Sequence, residues 1–568
     1  MLLGIGHNAA QEQGHAMQGR TQVSKADSVY FFTIICLMLP LRAVSHAQQQ
    51  APASMAPSSK APVNQAGQIS NGQPGYTLKV RSQIVQLDVV VRNAKGEVVH
   101  GLHAGDFTVT EDGTRQKIVS FEATSPKPPN QRESLEVEST AELDRREPDA
   151  PVTIIVLDEL TSKFEDQYFA RYSMAKYLGR QGDVLDQPMM LIARTIDRSM
   201  VLSDYTTSKK KILDALNRHF VGNDWRANNP NFNDVETSAA FASLLEVAKA
   251  TQGHAGHKNL VWIGRGLPTL QWQNLQPSLR DELKTAVSKC VDLLREARVT
   301  LYVIDPAGVQ GPSGTSDEND VVTLEDPFDQ SVSFDSLAHA TGGESMHGRN
   351  DVDHLIGDAV ENGETFYTLT YRPFSPTDAD PTKFRNIKVT LNEPSLTARS
   401  RQGYYPRADQ AAAPAFADAK GKLTQNTLFD LASASTGLMV FDGIPLTMSR
   451  QGPSRNEVQI SFPASAVGLT LSDGKWRGDI TLIALSFDPA GKVLSKDGRV
   501  VALHLAELQS GQPEDRSIHI TTPLNTQLPI ARVRIVIRSN SNGKIGADNL
   551  FLTDRAELKD RTTGLKPR

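Results

Sequence analysis

The chain has 568 residues, of which 39% are hydrophobic, 22% charged and only 6% aromatic, and its net charge is −5. That length exceeds what one hydrophobic core organises and implies roughly three to four domains. The mildly acidic balance supplies no basic field for nucleic acid or anionic lipid, so nucleic-acid binding is set aside.

Residues 29–41, VYFFTIICLMLPL, form the long apolar run of the sequence. The run is too short to span a bilayer as a mature helix and suits the hydrophobic region of a signal peptide. Ser45-His46-Ala47 supplies a small-x-small cleavage pattern, with Arg20 and Lys25 upstream as a modest basic region. Residues 1–47 are therefore read as a signal-peptide region, which implies export to a periplasmic, cell-envelope or extracellular location. The alternative is an uncleaved anchor, the one route by which this chain would meet a membrane. Cys36 lies inside this segment, so the mature chain would keep Cys290 alone and form no intramolecular disulfide. Gln48 stands where a lipoprotein would need a cysteine, and Cys290, at helical spacing in TAVSKCVDLLREA, reads as a small buried hydrophobe.

Residues 48–75, rich in Gln, Ala, Pro, Ser and Gly, read as a flexible linker. At Tyr76 the pattern turns strand-like: Val80, Ile84, Leu87, Val89 and Val91 form a β-rich run, and two strands flank the turn Glu111-Asp112-Gly113. Residues 76–124 are thus an N-terminal β module, and 125–150 a charged, proline-containing linker. From 151 to 405 apolar strands (VTIIVLDE, PMMLIARTI, SMVLSDY, KNLVWIG, VTLYVIDP) alternate with amphipathic helices, which predicts a doubly wound parallel sheet. TFYTLTYRP, FRNIKVTLN and LTARSRQGYY extend that sheet or build a β appendage. Residues 406–435 read as a linker, and the short strands of 436–568 as a C-terminal β-sandwich-like domain. The fold class is therefore multidomain: α/β in the middle, flanked by all-β modules.

The segments VTIIVLDELTS, KNLVWIGRG and VTLYVIDP resemble the von Willebrand factor type A fold. More narrowly, VQLDVVVRNAKGEVVHGLHAGDFTVTEDGTRQKI, KNLVWIGRGLP, LYVIDPAGV, LAHATGG and TFYTLTYRP resemble the type A-related proteins of acidobacteria. The resemblance covers about residues 76–405 in consistent order, and ARVRIVIRSNSNGKIGADNL is similar to the closing strands of longer members. It implies an exported protein of unassigned role, with the Rossmann-like topology of that fold.

Type A domains that bind Mg²⁺ use Asp-x-Ser-x-Ser after the first strand, plus a Thr and an Asp from two other loops, because hard oxygens suit octahedral coordination. The resemblance places Asp158-Glu159-Leu160-Thr161-Ser162 at that motif. Asp158 and Ser162 are retained as the weak metal candidates, but Leu160 has no side-chain oxygen, and Arg265 stands where the later Asp is expected. Thr206 and Thr237 are the candidates for the threonine loop. No cofactor is expected; Mg²⁺ or Ca²⁺ would require Glu159, Asp305 or Thr161 to substitute as ligands. Arg265 either occupies the metal's place by pairing with Asp158 or points to water.

Other clusters carry less chemistry. His254 and His257 sit in a glycine-rich loop with no third ligand beside them in the sequence, so zinc is disfavoured. Asp317, Glu318, Asp320, Glu325, Asp326 and Asp329 form an acidic loop without calcium-loop spacing. No phosphate loop and no Gly-x-Ser-x-Gly elbow is present. The expectation is a non-catalytic exported scaffold that binds a protein partner through the degenerate metal-site face: Asp158, Glu159, Thr161, Ser162, Arg265 and Asp305. The alternatives are a hydrolase or other enzyme with an unrecognised site, which convergent titratable groups in a deep pocket would betray, and a purely structural envelope component.

Overall fold

A strand covered on both faces is apolar throughout rather than alternating, and Val152–Asp158 is buried at every position. The structure, a computed structural model, describes residues 84–124, 137–195, 199–219, 232–266, 269–308, 326–373, 383–406, 416–417, 423–451, 457–472, 475–489, 491–506, 516–524 and 529–552. The signal-peptide region, the 48–75 linker and most of the acidic loop lie outside these residues.

The central sheet has six strands: β1 (Val152–Asp158), β2 (Val184–Arg194), β3 (Ser199–Ser208), β4 (Lys258–Ile263), β5 (Val299–Ile304) and β6 (Ser345–Met346). Their order is β6-β5-β4-β1-β2-β3, the doubly wound arrangement in which the chain starts mid-sheet and fills both sides. Every pairing is parallel except β2 with β3. The exception has a local cause. Only residues 195–198 separate those two strands, and a parallel return needs a crossover of a dozen residues or more.

Helices α1 (Phe164–Gly179), α2 (Lys209–Arg218), α3 (Phe232–Ala250), α4 (Pro277–Glu296), α5 (Phe334–Thr341) and α6 (Val352–Glu364) cover the sheet. Ile154 and Val156 of β1 pack with residues of α3, α4 and α5. Ile155 and Leu157 face the other way, onto α1, α2 and α6. Cys290 is fully buried in the first of these cores, as its helical spacing predicts.

The strand pairing changes the domain boundaries read from the sequence. Val85–Arg92 pairs with Phe366–Tyr371 and with Thr397–Arg399, while Phe107–Glu111 pairs with Arg385–Leu391. The N-terminal β module and the β appendage are thus one two-sheet unit, with the α/β unit inserted into it. Leu87, Val91, Phe107, Tyr371, Ile387 and Tyr404 meet in its core. Glu111 bridges the two sheets, accepting from the Tyr371 hydroxyl at 2.7 Å and the Tyr404 hydroxyl at 3.2 Å.

The C-terminal region forms a second two-sheet unit, built on the long antiparallel strands Lys475–Phe487, Val493–Ala506 and Arg532–Ser539. Its partner sheet joins Thr447–Gln451, Glu457–Pro463 and Ser517–Pro523. Part of the expected 406–435 linker is a helix, Gln425–Thr436, capped by Thr424. Arg534, fully buried, donates to the carbonyls of Ala434 and Met439, and Arg538 pairs with Asp430. Lys249 of α3 pairs with the same Asp430, tying this unit to the central one.

Candidate functional site

Chain order reverses between β1 and β4, so a crevice opens beyond the carboxyl ends of these two strands. Asp158 ends β1, and Gly264-Arg265-Gly266 follows β4. The Asp158 side chain belongs to a residue only 2% exposed, and an isolated carboxylate there would carry a large desolvation cost. Its oxygens are answered locally. Oδ1 accepts from the amides of Leu160 at 3.1 Å and Thr161 at 3.0 Å. Oδ2 accepts from the Trp262 indole at 2.9 Å, the Gly266 amide at 3.3 Å and the Thr161 hydroxyl. Five donors meet a group with about four lone-pair sites.

The two glycines make that closure possible. A Cβ on Gly264 would sit 2.4 Å from Asp158 Cβ and 2.8 Å from Ser162 Oγ. Gly266 has φ +64°, and a Cβ there would fall 1.6 Å from the Phe334 ring. That ring packs edge-on against Trp262 with centroids 4.9 Å apart, which fixes the indole that donates to Asp158.

Arg265 does not take the metal's place. It is exposed, and no ion pair within 4.0 Å joins it to Asp158. The pairing expected between them fails because neutral donors already saturate the carboxylate. Glu159 faces another partner: its Oε1 lies 2.6 Å from His219 Nε2, both side chains being more than nine-tenths buried. Ser162 is 1% exposed and its hydroxyl has no partner among the described residues. Gln167 of α1 donates to the carbonyls of Glu159 at 2.8 Å and Ser162 at 2.7 Å, which braces the turn. Asp305 lies beyond β5 and accepts from the Ala307 amide at 2.9 Å, closing its own turn.

The remaining candidates are dispersed. Thr206 pairs with Met189, which also pairs with Thr153, so it lies toward the opposite end of the sheet from Asp158. Thr237 is on α3 and its side chain lies outside the described residues. His254 and His257 each find a carboxylate the sequence does not place nearby. His254 contacts Asp144 at 3.2 Å and the Ala150 carbonyl at 2.7 Å; His257 contacts Asp88 at 2.8 Å. Of the acidic loop, Asp317, Glu318, Asp320 and Glu325 lie outside the described residues, while Asp326 accepts from the Phe328 amide at 2.8 Å.

Among the described residues no group of three His, Cys, Asp or Glu is placed to hold a metal. The residues around Asp158 do not fit Mg²⁺ or Ca²⁺: donors occupy both oxygens of the carboxylate, and Leu160, 1% exposed, offers hydrocarbon where a cation needs oxygen.

One feature of this end escaped the sequence reading. Phe164, Tyr168 and Tyr172 of α1 are 47%, 67% and 57% exposed. Their i, i+4, i+8 spacing aligns them on one helix face, while Ala170, Met174, Tyr177 and Leu178 are buried. Aromatics recurring every fourth position on a helix that already has an apolar face were the available signal.

No family model matches the chain, and no curated protein matches it. Among solved structures it is similar to the crystal structure of the SpRpn10 VWA domain, at 16% identity, over 29% of this chain and 90% of that one, with a TM-score of 0.16. No helix among the described residues is long and apolar enough to cross a membrane.

Proposed function

We propose that this is an exported, non-catalytic binding protein whose type A-like central unit docks another protein without a metal ion. The observation that carries the reading is the saturation of Asp158 by the Leu160, Thr161, Trp262 and Gly266 donors. Where a divalent ion would neutralise that charge, peptide, hydroxyl and indole donors stabilise it by hydrogen bonding. Recognition then rests on shape and direct contacts.

The docking residues of this reading are exposed Arg265 after β4 and the aromatic ridge of α1. Tyrosine, phenylalanine and arginine presented together suit a protein partner, since aromatics and arginine dominate interface energetics. The apolar run 29–41 supports export, and the membership of the type A-like class rests on the sheet order and on Asp158 and Ser162 after β1.

The test is affinity capture from the native cell envelope with and without EDTA, using the wild type and a Tyr168→Ser/Tyr172→Ser variant. The expected result is a partner retained under chelation and lost from the variant. A partner released by EDTA, or saturable Mg²⁺ uptake by calorimetry, would overturn the metal-independent reading.

A further inference from the structure

Away from the motif, at the amino end of the central sheet, a cavity of about 220 Å³ lies between α4, the start of β5 and the N-terminal β unit. Ile84, 53% exposed, stands on its rim, so the cavity communicates with solvent. Its walls hold three guanidiniums, from Arg295, Arg298 and Arg401, against two carboxylates, from Asp88 and Glu296.

The three cations are not equivalent. Arg298 is answered by Asp88, with Nη2 at 2.8 Å and Nε at 3.4 Å. Arg295 pairs with Asp292 at 3.5 Å and lies over the Tyr404 ring. Arg401 is 7% exposed, yet no hydrogen bond or ion pair of its guanidinium to any described residue is found, and its Nη1 is fully enclosed without a partner. Burial and the neighbouring charge of Arg295 pull its pKa down to about 9, which leaves it cationic at neutral pH. A buried, unpaired cation is costly, and this residue lines the open volume.

We propose that this cavity is a binding site for a small monocarboxylate, held by the Arg401 guanidinium. The planar fork of arginine matches a carboxylate with two parallel hydrogen bonds. With Arg298 answered by Asp88 and Arg295 by Asp292, Arg401 is the wall cation left without an ion pair to a described residue, which fits a monoanion better than a dianion that Asp88 and Glu296 would repel. The volume equals about seven waters at ~30 Å³ each, room for a short organic acid and below the ~300 Å³ at which drug-sized pockets begin.

The test titrates acetate, lactate and hexanoate, with sulfate as the dianion control, into the full chain by saturation-transfer NMR and thermal shift. Expected are saturable binding of at least one carboxylate, weakening by about tenfold or more in Arg401→Met, and partial retention in Arg401→Lys. Glu296→Gln removes a repelling charge at a half-buried position and is expected to tighten binding. That variant keeps the proposal testable should Arg401→Met fold poorly. Absence of saturable binding of all three acids, undiminished binding in Arg401→Met, weaker binding in Glu296→Gln, or sulfate binding as tightly as the carboxylates would overturn it.

Discussion

The two ends of the central sheet treat buried charge in opposite ways. At the carboxyl end Asp158 is enclosed by five neutral donors drawn from its own turn, from β4 and from the loop that follows β4. At the amino end charges crowd together. Asp88 meets His257, Arg298 and Thr368, while the Arg401 guanidinium makes no ion pair with a described residue and Asp442 is buried against the loop before β4, accepting from Gly253 at 2.6 Å. At the carboxyl end the Asp158 carboxylate is satisfied within the fold, while the Ser162 hydroxyl is enclosed without a partner among the described residues. The amino end carries no motif, yet it leaves a cation for something else to satisfy.

If the carboxyl end is sealed as described, breaking the seal has the largest effect. Asp158→Ala strands buried donors and should lower stability by about 3–5 kcal/mol in urea melts, with no rescue by Mg²⁺. A loss below ~1 kcal/mol would mean that the network contributes little. Gly266→Ala comes next, at about 2–3 kcal/mol, because it adds a left-handed alanine and forces the Phe334 ring to move.

The amino end is better separated by pH. Burial alone would raise the Asp88 carboxyl, but His257 and Arg298 outweigh it and hold the carboxyl well below its usual 3.8. A depressed folded pKa adds stability above the unfolded value, and that stability is lost as pH falls below about 4. Asp442 has the opposite sign: burial, reinforced by Asp144, pushes it up to about 7. Its contribution is complete at low pH and disappears as pH rises through 7. Thermal melts from pH 2 to 9 should therefore show Asp88→Asn flattening the acid limb and Asp442→Asn raising Tm more at pH 8 than at pH 5. Identical limbs in wild type and variants would erase the distinction between the two acids.

The smallest stability effect is expected on the ridge. Tyr168→Ser with Tyr172→Ser should change the unfolding free energy by less than ~0.5 kcal/mol, since both rings already face water. A larger loss would make the ridge part of the core and remove it as a docking face.

The sequence by itself determined the periodicities and therefore the elements: VTIIVLD, KNLVWI and VTLYVI are built on the apolar stretches IIVL, LVWI and LYVI, and each is a strand of the central sheet with that stretch buried. It also determined that Leu160 offers no side-chain oxygen beside Asp158, because that depends on residue type alone. Only tertiary structure decided what satisfies Asp158. Arg265 was the electrostatic candidate in the sequence, whereas Trp262, Thr161 and Gly266 answer Asp158 because β4 runs parallel beside β1 and Phe334 orients the indole. Pairing across hundreds of residues is likewise silent locally: Val85 meets Tyr371, and His257 meets Asp88. A strand's alternation says which face is apolar but not which edge it joins. The cavity at Arg401 exists only once the N-terminal β unit has closed around the inserted sheet, so no spacing in the chain could announce it.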